Sequence, residues 1–108
     1  MEDTLLKLSK IVQQRKDCPS EGSYTNYLFE KGLDKILKKI GEESAETIIA
    51  AKNGDKTEIC NEVCDLLYHL LVMLNVCEVD IQKIVDELTL RMQKQSNLKE
   101  MKTVDKNS

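Results

Sequence analysis

Residues 33–77 read LDKILKKIGEESAETIIAAKNGDKTEICNEVCDLLYHLLVMLNVC, and this stretch decides the fold. Leu33 to Lys52 predicts one long helix, closed by Asn53-Gly54. Asp55 with Glu58 forms a capping box that opens the next helix, which runs to about Cys77. So short a connection makes the two helices antiparallel neighbours. Each carries an acid cluster: Glu42-Glu43-x-x-Glu46 on the first, Glu62-x-x-Asp65 on the second. Glu46 lies eight residues before Gly54 and Glu62 eight after it. The clusters therefore stand at one height, about 12 Å from the turn at a rise of 1.5 Å per residue.

A wheel at 100° per residue orients them. On the first helix Leu33, Ile36, Leu37, Ile40, Ile48 and Ala51 form the apolar stripe. Glu43 falls at its edge, Glu46 and Lys39 one step further round, and Glu42 more nearly away. Ile49 lies opposite, which asks for a second buried face against another helix or another subunit. On the second helix Glu58, Glu62, Asp65 and His69 fall within roughly 60° of one another. Leu66, Leu67, Leu70, Leu71, Met73 and Leu74 make its central turns apolar nearly all round, the mark of a central helix. A polar line on such a helix faces another polar line or a bound ion.

Taken singly, each feature has an ordinary reading. An EExxE run is common on solvated faces, and Lys38–Glu42 and Lys39–Glu43 are plain i, i+4 pairs. A lone histidine such as His69 is often a satisfied core residue. Two clusters in register on neighbouring helices are a stronger signal. Their ligands are all oxygens, which selects Mg²⁺, with Mn²⁺ next, over zinc. A di-iron bundle would want Glu-x-x-His on two helices. Lys31, Lys35, Lys38 and Lys39 lie just ahead of the acids, as polyphosphate binding requires. By position on the wheel, Lys31 and Lys39 are expected to matter more than Lys35 and Lys38.

The rest of the chain is consistent with an all-α fold: an antiparallel bundle of four to five helices, completed by dimerisation. Thr4 to Lys16 is amphipathic, with Leu5, Leu8, Ile11 and Val12 as its stripe. Ser23 caps a short helix through Lys31, which Gly32 ends. The hydroxyls of Ser23, Tyr24 and Thr25 at that helix start suit a phosphate. Asp80 caps a last helix from Ile81 to about Gln95. Residues 1–95 form the domain, and 96–108 read as a flexible tail. With no Trp and one Phe, the core must be mainly aliphatic.

A net charge of −3 with no basic patch argues against nucleic acid as a partner. The longest apolar run, Leu70 to Cys77 broken by Asn75, is short for a bilayer, so no membrane partner is expected. Met1-Glu2-Asp3 lacks a basic n-region, and no apolar h-region follows. Cys18, Cys60, Cys64 and Cys77 therefore read as free, buried or half-buried thiols in a cytoplasmic chain.

Three segments together resemble a known family. They are Gly22-Ser-Tyr-Thr-Asn-Tyr-Leu-Phe29, Lys39-Ile-Gly-Glu-Glu-Ser-Ala-Glu46 and Glu62-Val-Cys-Asp-Leu-Leu-Tyr-His-Leu-Leu-Val72. They are similar to the phosphoribosyl-ATP pyrophosphatase family of histidine biosynthesis, within the MazG-like all-α nucleotide pyrophosphohydrolases. The resemblance covers roughly Leu5 to Leu90. It implies Mg²⁺-dependent hydrolysis of phosphoribosyl-ATP to phosphoribosyl-AMP and pyrophosphate. By motif, Glu43, Glu46, Glu62 and Asp65 are the implied metal ligands. Glu42 is implied as a further ligand or as the group that orients the attacking water. Ser23, Tyr24, Thr25, Lys31, Lys39 and His69 are the implied substrate contacts. In a homodimer or higher oligomer, the Gly22–Phe29 segment is expected to reach the site across the interface. Cys64 departs from the family, which tends to have Ala there. No phosphoribosyl-AMP cyclohydrolase domain is recognisable, so the next step is expected on a separate chain. The competing readings are a house-cleaning nucleoside triphosphate pyrophosphohydrolase of the same group and a non-catalytic helical dimerisation module.

Overall fold

The computed structural model describes residues 2–97, and among them the chain forms five helices and no strand. These are α1 (Glu2–Asp17), α2 (Tyr24–Lys31), α3 (Leu33–Asn53), α4 (Lys56–Val76) and α5 (Ile81–Asn97). The starts and stops follow the caps read from the sequence. Ser23 Oγ accepts from the Asn26 N–H, and Asp55 accepts from the N–H groups of Thr57 and Glu58. Asp80 accepts from the Gln82 N–H. Helix α5 runs to Asn97, past the expected end near Gln95; the tail from residue 98 lies outside the described residues.

Helices α3 and α4 make the most extensive contact, with α1 and α2 laid against α4 and α5 against α1. The shared core is Val12, Leu28, Ile36 and Val72, all aliphatic, with Phe29, Ile40, Tyr68, Met73 and Val76 packed around it. The line of α3 that is buried is not the stripe expected from the wheel. It runs Ile36, Glu43, Ala50, placing an acid at its centre rather than its edge. Ile48 and Ile49 are 69% and 59% exposed, and Leu33, Leu37 and Ala51 are exposed as well. The wheel finds apolar residues; it does not say which of them face a neighbour in the same chain.

All four cysteines are free, but they are exposed rather than buried. Cys60 and Cys64 lie one turn apart on α4, both exposed. Cys60 chiefly pushes the Cys64 thiol up, so that thiol keeps its proton. By length and composition alone, α4 meets the description of a membrane span. It nevertheless carries Glu62 and Asp65 and packs on three other helices. The radius of gyration is 16.7 Å, against about 13 Å for a compact domain of this length, and Ile48, Ile49 and Leu88 are among the large apolar side chains left exposed.

The α3–α4 turn is set by Gly54, which closes α3 in the left-handed region at φ 73°. Its N–H reaches the Ala50 and Ala51 carbonyls, each at 3.1 Å. A Cβ there would meet nothing within 4 Å, so the glycine is required by backbone conformation alone. Gly54→Ala should cost about 1–2 kcal/mol in urea unfolding, and Gly54→Asn less. An unchanged midpoint for Gly54→Ala would show that the turn relaxes out of the left-handed region.

Candidate active site

The antiparallel α3–α4 seam brings carboxylates from both helices together. One oxygen each of Glu43, Glu62 and Asp65 lies within 4.8 Å of the other two. Glu43 is only 6% exposed, and its Oε2 is buried with no hydrogen-bond partner. Glu62 Oε2 is in the same condition. A buried, unpartnered carboxylate oxygen needs a proton or a cation. With the exposed Asp65, these two glutamates make three carboxylates from two helices, all hard oxygens, which fit a divalent cation of the Mg²⁺ class.

Glu46 does not join this trio but adjoins Glu62. The adjoining Glu46 carboxyl, then partial burial and the proximity of Glu43, push the Glu62 carboxyl up to about 7. Glu42 stands outside, exposed, on the far side of Lys39. Lys39 Nζ lies 3.7 Å from Glu42 Oε1 and 3.7 Å from Glu43 Oε1. Burial works against the Lys39 charge, but Tyr24, Glu42 and Glu43 more than offset it, and its pKa is raised. A single lysine thus faces a cluster of acids.

Within this chain the Gly22–Phe29 segment packs against α4 beside the seam. Asn26 fixes it: its side chain accepts from the Ser20 N–H at 2.7 Å and donates to the Arg15 carbonyl at 2.6 Å. Tyr24 then meets α4, its O–H donating to His69 Nε2 at 2.8 Å. His69 is buried, and its Nδ1–H donates to the Asp65 backbone carbonyl at 2.7 Å. A carbonyl can only accept, so Nδ1 holds the proton and Nε2 is the acceptor. Burial raises the Tyr24 pKa most, Lys39 lowers it, and Glu43, Tyr27 and Asp65 raise it; the phenol stays a donor.

The other expected contacts are placed differently. Ser23 Oγ is engaged as the α2 cap. Thr25 is turned inward, 6% exposed, with its hydroxyl bonded to the Tyr68 hydroxyl. Lys31 is exposed, with its ammonium 5.7 Å from the centre of the Tyr27 ring. Tyr27 itself escaped the sequence reading. It stacks on Tyr24 with ring centres 6.0 Å apart. The signal was the i, i+3 spacing of the two tyrosines, which puts both on one helix face.

One cleft adjoins these groups, and a larger one lies at the other end of α4. The first, of about 270 Å³, continues from Glu46, Glu58 and Glu62 towards Asn53 and Asp55. The larger, about 730 Å³, lies between α1 and the α4–α5 turn, lined by Gln13, Asn75 and Asp80 among others. It contains none of the clustered acids, so size does not mark the chemistry here.

Residues 5–92 match the family described as Phosphoribosyl-ATP pyrophosphohydrolase. The chain belongs to that family. It is 55% identical over 100 residues to a protein of Clostridium botulinum (strain Kyoto / Type A2) named phosphoribosyl-ATP pyrophosphatase, covering 92% of this chain and 91% of the relative. A Streptococcus thermophilus (strain ATCC BAA-491 / LMD-9) protein of the same name is 57% identical over 97 residues, 90% and 93% of the two chains. One from Listeria welshimeri serovar 6b is 54% identical over 94 residues, 87% and 90%. As a member of the phosphoribosyl-ATP pyrophosphohydrolase family, the chain is an enzyme, a hydrolase.

The carboxyl cluster makes a pH prediction for the metal-free protein. The Glu62 pKa is raised from 4.5 to about 7, so the native state binds a proton that the unfolded chain releases. Its stabilising contribution is present at low pH and is lost as pH rises through about 7. In excess chelator, the melting temperature should therefore fall between about pH 5 and pH 8. Glu62→Gln should flatten that fall. A melting temperature that rises with pH in the wild type over this interval would contradict the cluster.

Proposed function

We propose that this site hydrolyses phosphoribosyl-ATP to phosphoribosyl-AMP and pyrophosphate, the second step of histidine biosynthesis, breaking the bond between the α- and β-phosphates. The catalytic domain is residues 1–95, the cation is Mg²⁺, which Mn²⁺ can replace, and the enzyme works in the cytoplasm as a homodimer. The observation that carries the reading is the pair of buried, unpartnered oxygens on Glu43 and Glu62 beside Asp65.

Glu43, Glu62 and Asp65 would hold the metal, with Glu46, beside Glu62, as the fourth carboxylate. When bound, Mg²⁺ supplies neutralisation of the polyphosphate and a lower pKa for the attacking water. Phosphoryl transfer otherwise asks the protein for alignment and charge. Lys39, poised between Glu42 and Glu43, contributes the fixed positive charge. Glu42, exposed and paired with that lysine, is the carboxylate left to accept the proton of the attacking water. His69 and Tyr24 hold the Asp65 end of the seam in place through their hydrogen bonds.

A pyrophosphate-release assay with phosphoribosyl-ATP and ordinary nucleoside triphosphates tests the substrate. Phosphoribosyl-ATP should turn over much faster; equal turnover of ATP would favour a general nucleotide pyrophosphohydrolase. Glu62→Gln and Asp65→Asn should each abolish turnover while leaving the metal-free melting temperature unchanged or raised, because each removes one of several crowded like charges. Their stabilisation by Mg²⁺ should shrink. Near-normal turnover in either variant would remove that residue from the metal site.

Dimerisation is supported by the uncovered apolar residues of α3 and α4, among them Ile48, Ile49 and Leu67. Sedimentation at micromolar concentration should give twice the 12.4 kDa chain mass. Replacing Ile48 and Leu67 together with Lys should yield monomers; a wild-type monomer would overturn the dimer.

A further inference from the structure

On α2, Tyr24, Tyr27 and Lys31 fall within about 60° of one another and form one continuous row. Tyr24 is the inner end, hydrogen-bonded to His69 and close enough to Glu43, Lys39 and Asp65 for their charges to act on its phenol. Tyr27 stacks on Tyr24 with the two rings inclined by 22°. The Lys31 ammonium sits over the Tyr27 ring, at the outer end. Lys39 is committed to Glu42 and Glu43, whereas Lys31 is exposed and has no carboxylate partner among the described residues. Lys31 lies seven positions after Tyr24, a span of about 10 Å along the helix.

We propose that Lys31 binds the 5-phosphate of the substrate's phosphoribosyl arm, with Tyr27 as the positioning residue that holds its ammonium. The proposal rests on the substrate assigned above. That substrate has two anionic ends, a polyphosphate and a sugar phosphate, joined through two riboses with the adenine between them. With the polyphosphate at the α3–α4 acids, the second phosphate lies two sugars and a base away and needs its own cation. The α2 row runs outward from the acids, with an aromatic wall along it and a free ammonium at its end. An ammonium held over an aromatic face is partly fixed in place before the ligand arrives. ATP lacks the arm, so this contact selects for phosphoribosyl-ATP while leaving the chemistry to the acids.

The test compares two ligands that differ only in the arm, phosphoribosyl-AMP and AMP, by calorimetric titration of the full chain with Mg²⁺. The wild type should bind phosphoribosyl-AMP more tightly. Lys31→Ala should cut that preference about tenfold, the value of one charge-assisted contact to phosphate. Lys31→Arg should restore most of it, and Tyr27→Leu should give an intermediate loss. Lys38→Ala, an equal loss of surface charge, should leave the ratio unchanged. A Lys31→Ala variant that weakens both ligands equally, or neither, overturns the assignment. If the wild type released pyrophosphate from phosphoribosyl-ATP in the same case, only the arm site would fail. A wild type inactive on phosphoribosyl-ATP would instead remove the substrate reading and this site with it.

Discussion

A carboxylate taken out of water demands compensation, and the α3–α4 seam takes Glu43 out of water opposite two more acids. Lys39 is the nearby cation, and it is shared with Glu42. The deficit of positive charge is therefore built into the packing of the two principal helices. It depends on register. Gly54 ends α3 and Asp55 starts α4 without slack, so Glu46 and Glu62 arrive level. One residue more in the connection would turn every later α4 side chain by about 100° and carry Glu62 and Asp65 away from Glu43.

The short helix α2 gives this cluster its surroundings. Its inner face is spent on structure: Thr25 bonds Tyr68, Leu28 enters the core, and Asn26 ties the preceding loop to α1. Its outer row is left half-exposed beside the acids. The hydrogen-bonded line from Tyr24 through His69 to the Asp65 carbonyl couples the two parts. A shift of α2 is thus felt at the backbone that carries Asp65. The buried His69 is the middle member of that line, with both ring nitrogens engaged.

Much of this was legible in the chain because caps and periods are local. Ser23, Gly32, Gly54 and Asp55 marked the helix ends, and the equal spacing of Glu46 and Glu62 about the turn marked where acids of the two helices adjoin. What escaped was what depends on neighbours. The wheel set Glu43 at the edge of an apolar stripe because it cannot tell a core-facing leucine from one left for another chain. It offered Thr25 as a phosphate contact because a helix start looks alike whether its hydroxyl faces water or Tyr68. Tyr27 was overlooked because its role arises only from stacking on Tyr24.

The uncovered stripe has its own logic. Ile48 follows Glu43 by five residues and Leu67 follows Glu62 by five, so each apolar residue is turned about 140° from its acid. On two antiparallel neighbours, equal turns from facing residues lead to the same outer side of the pair. Helices α3 and α4 therefore carry acids along their shared seam and exposed apolar groups on one outer face. In the proposed dimer, burial of that face against a second copy would leave the seam open. The same face carries part of the apolar excess, Leu67 included, that gives α4 the composition of a membrane span.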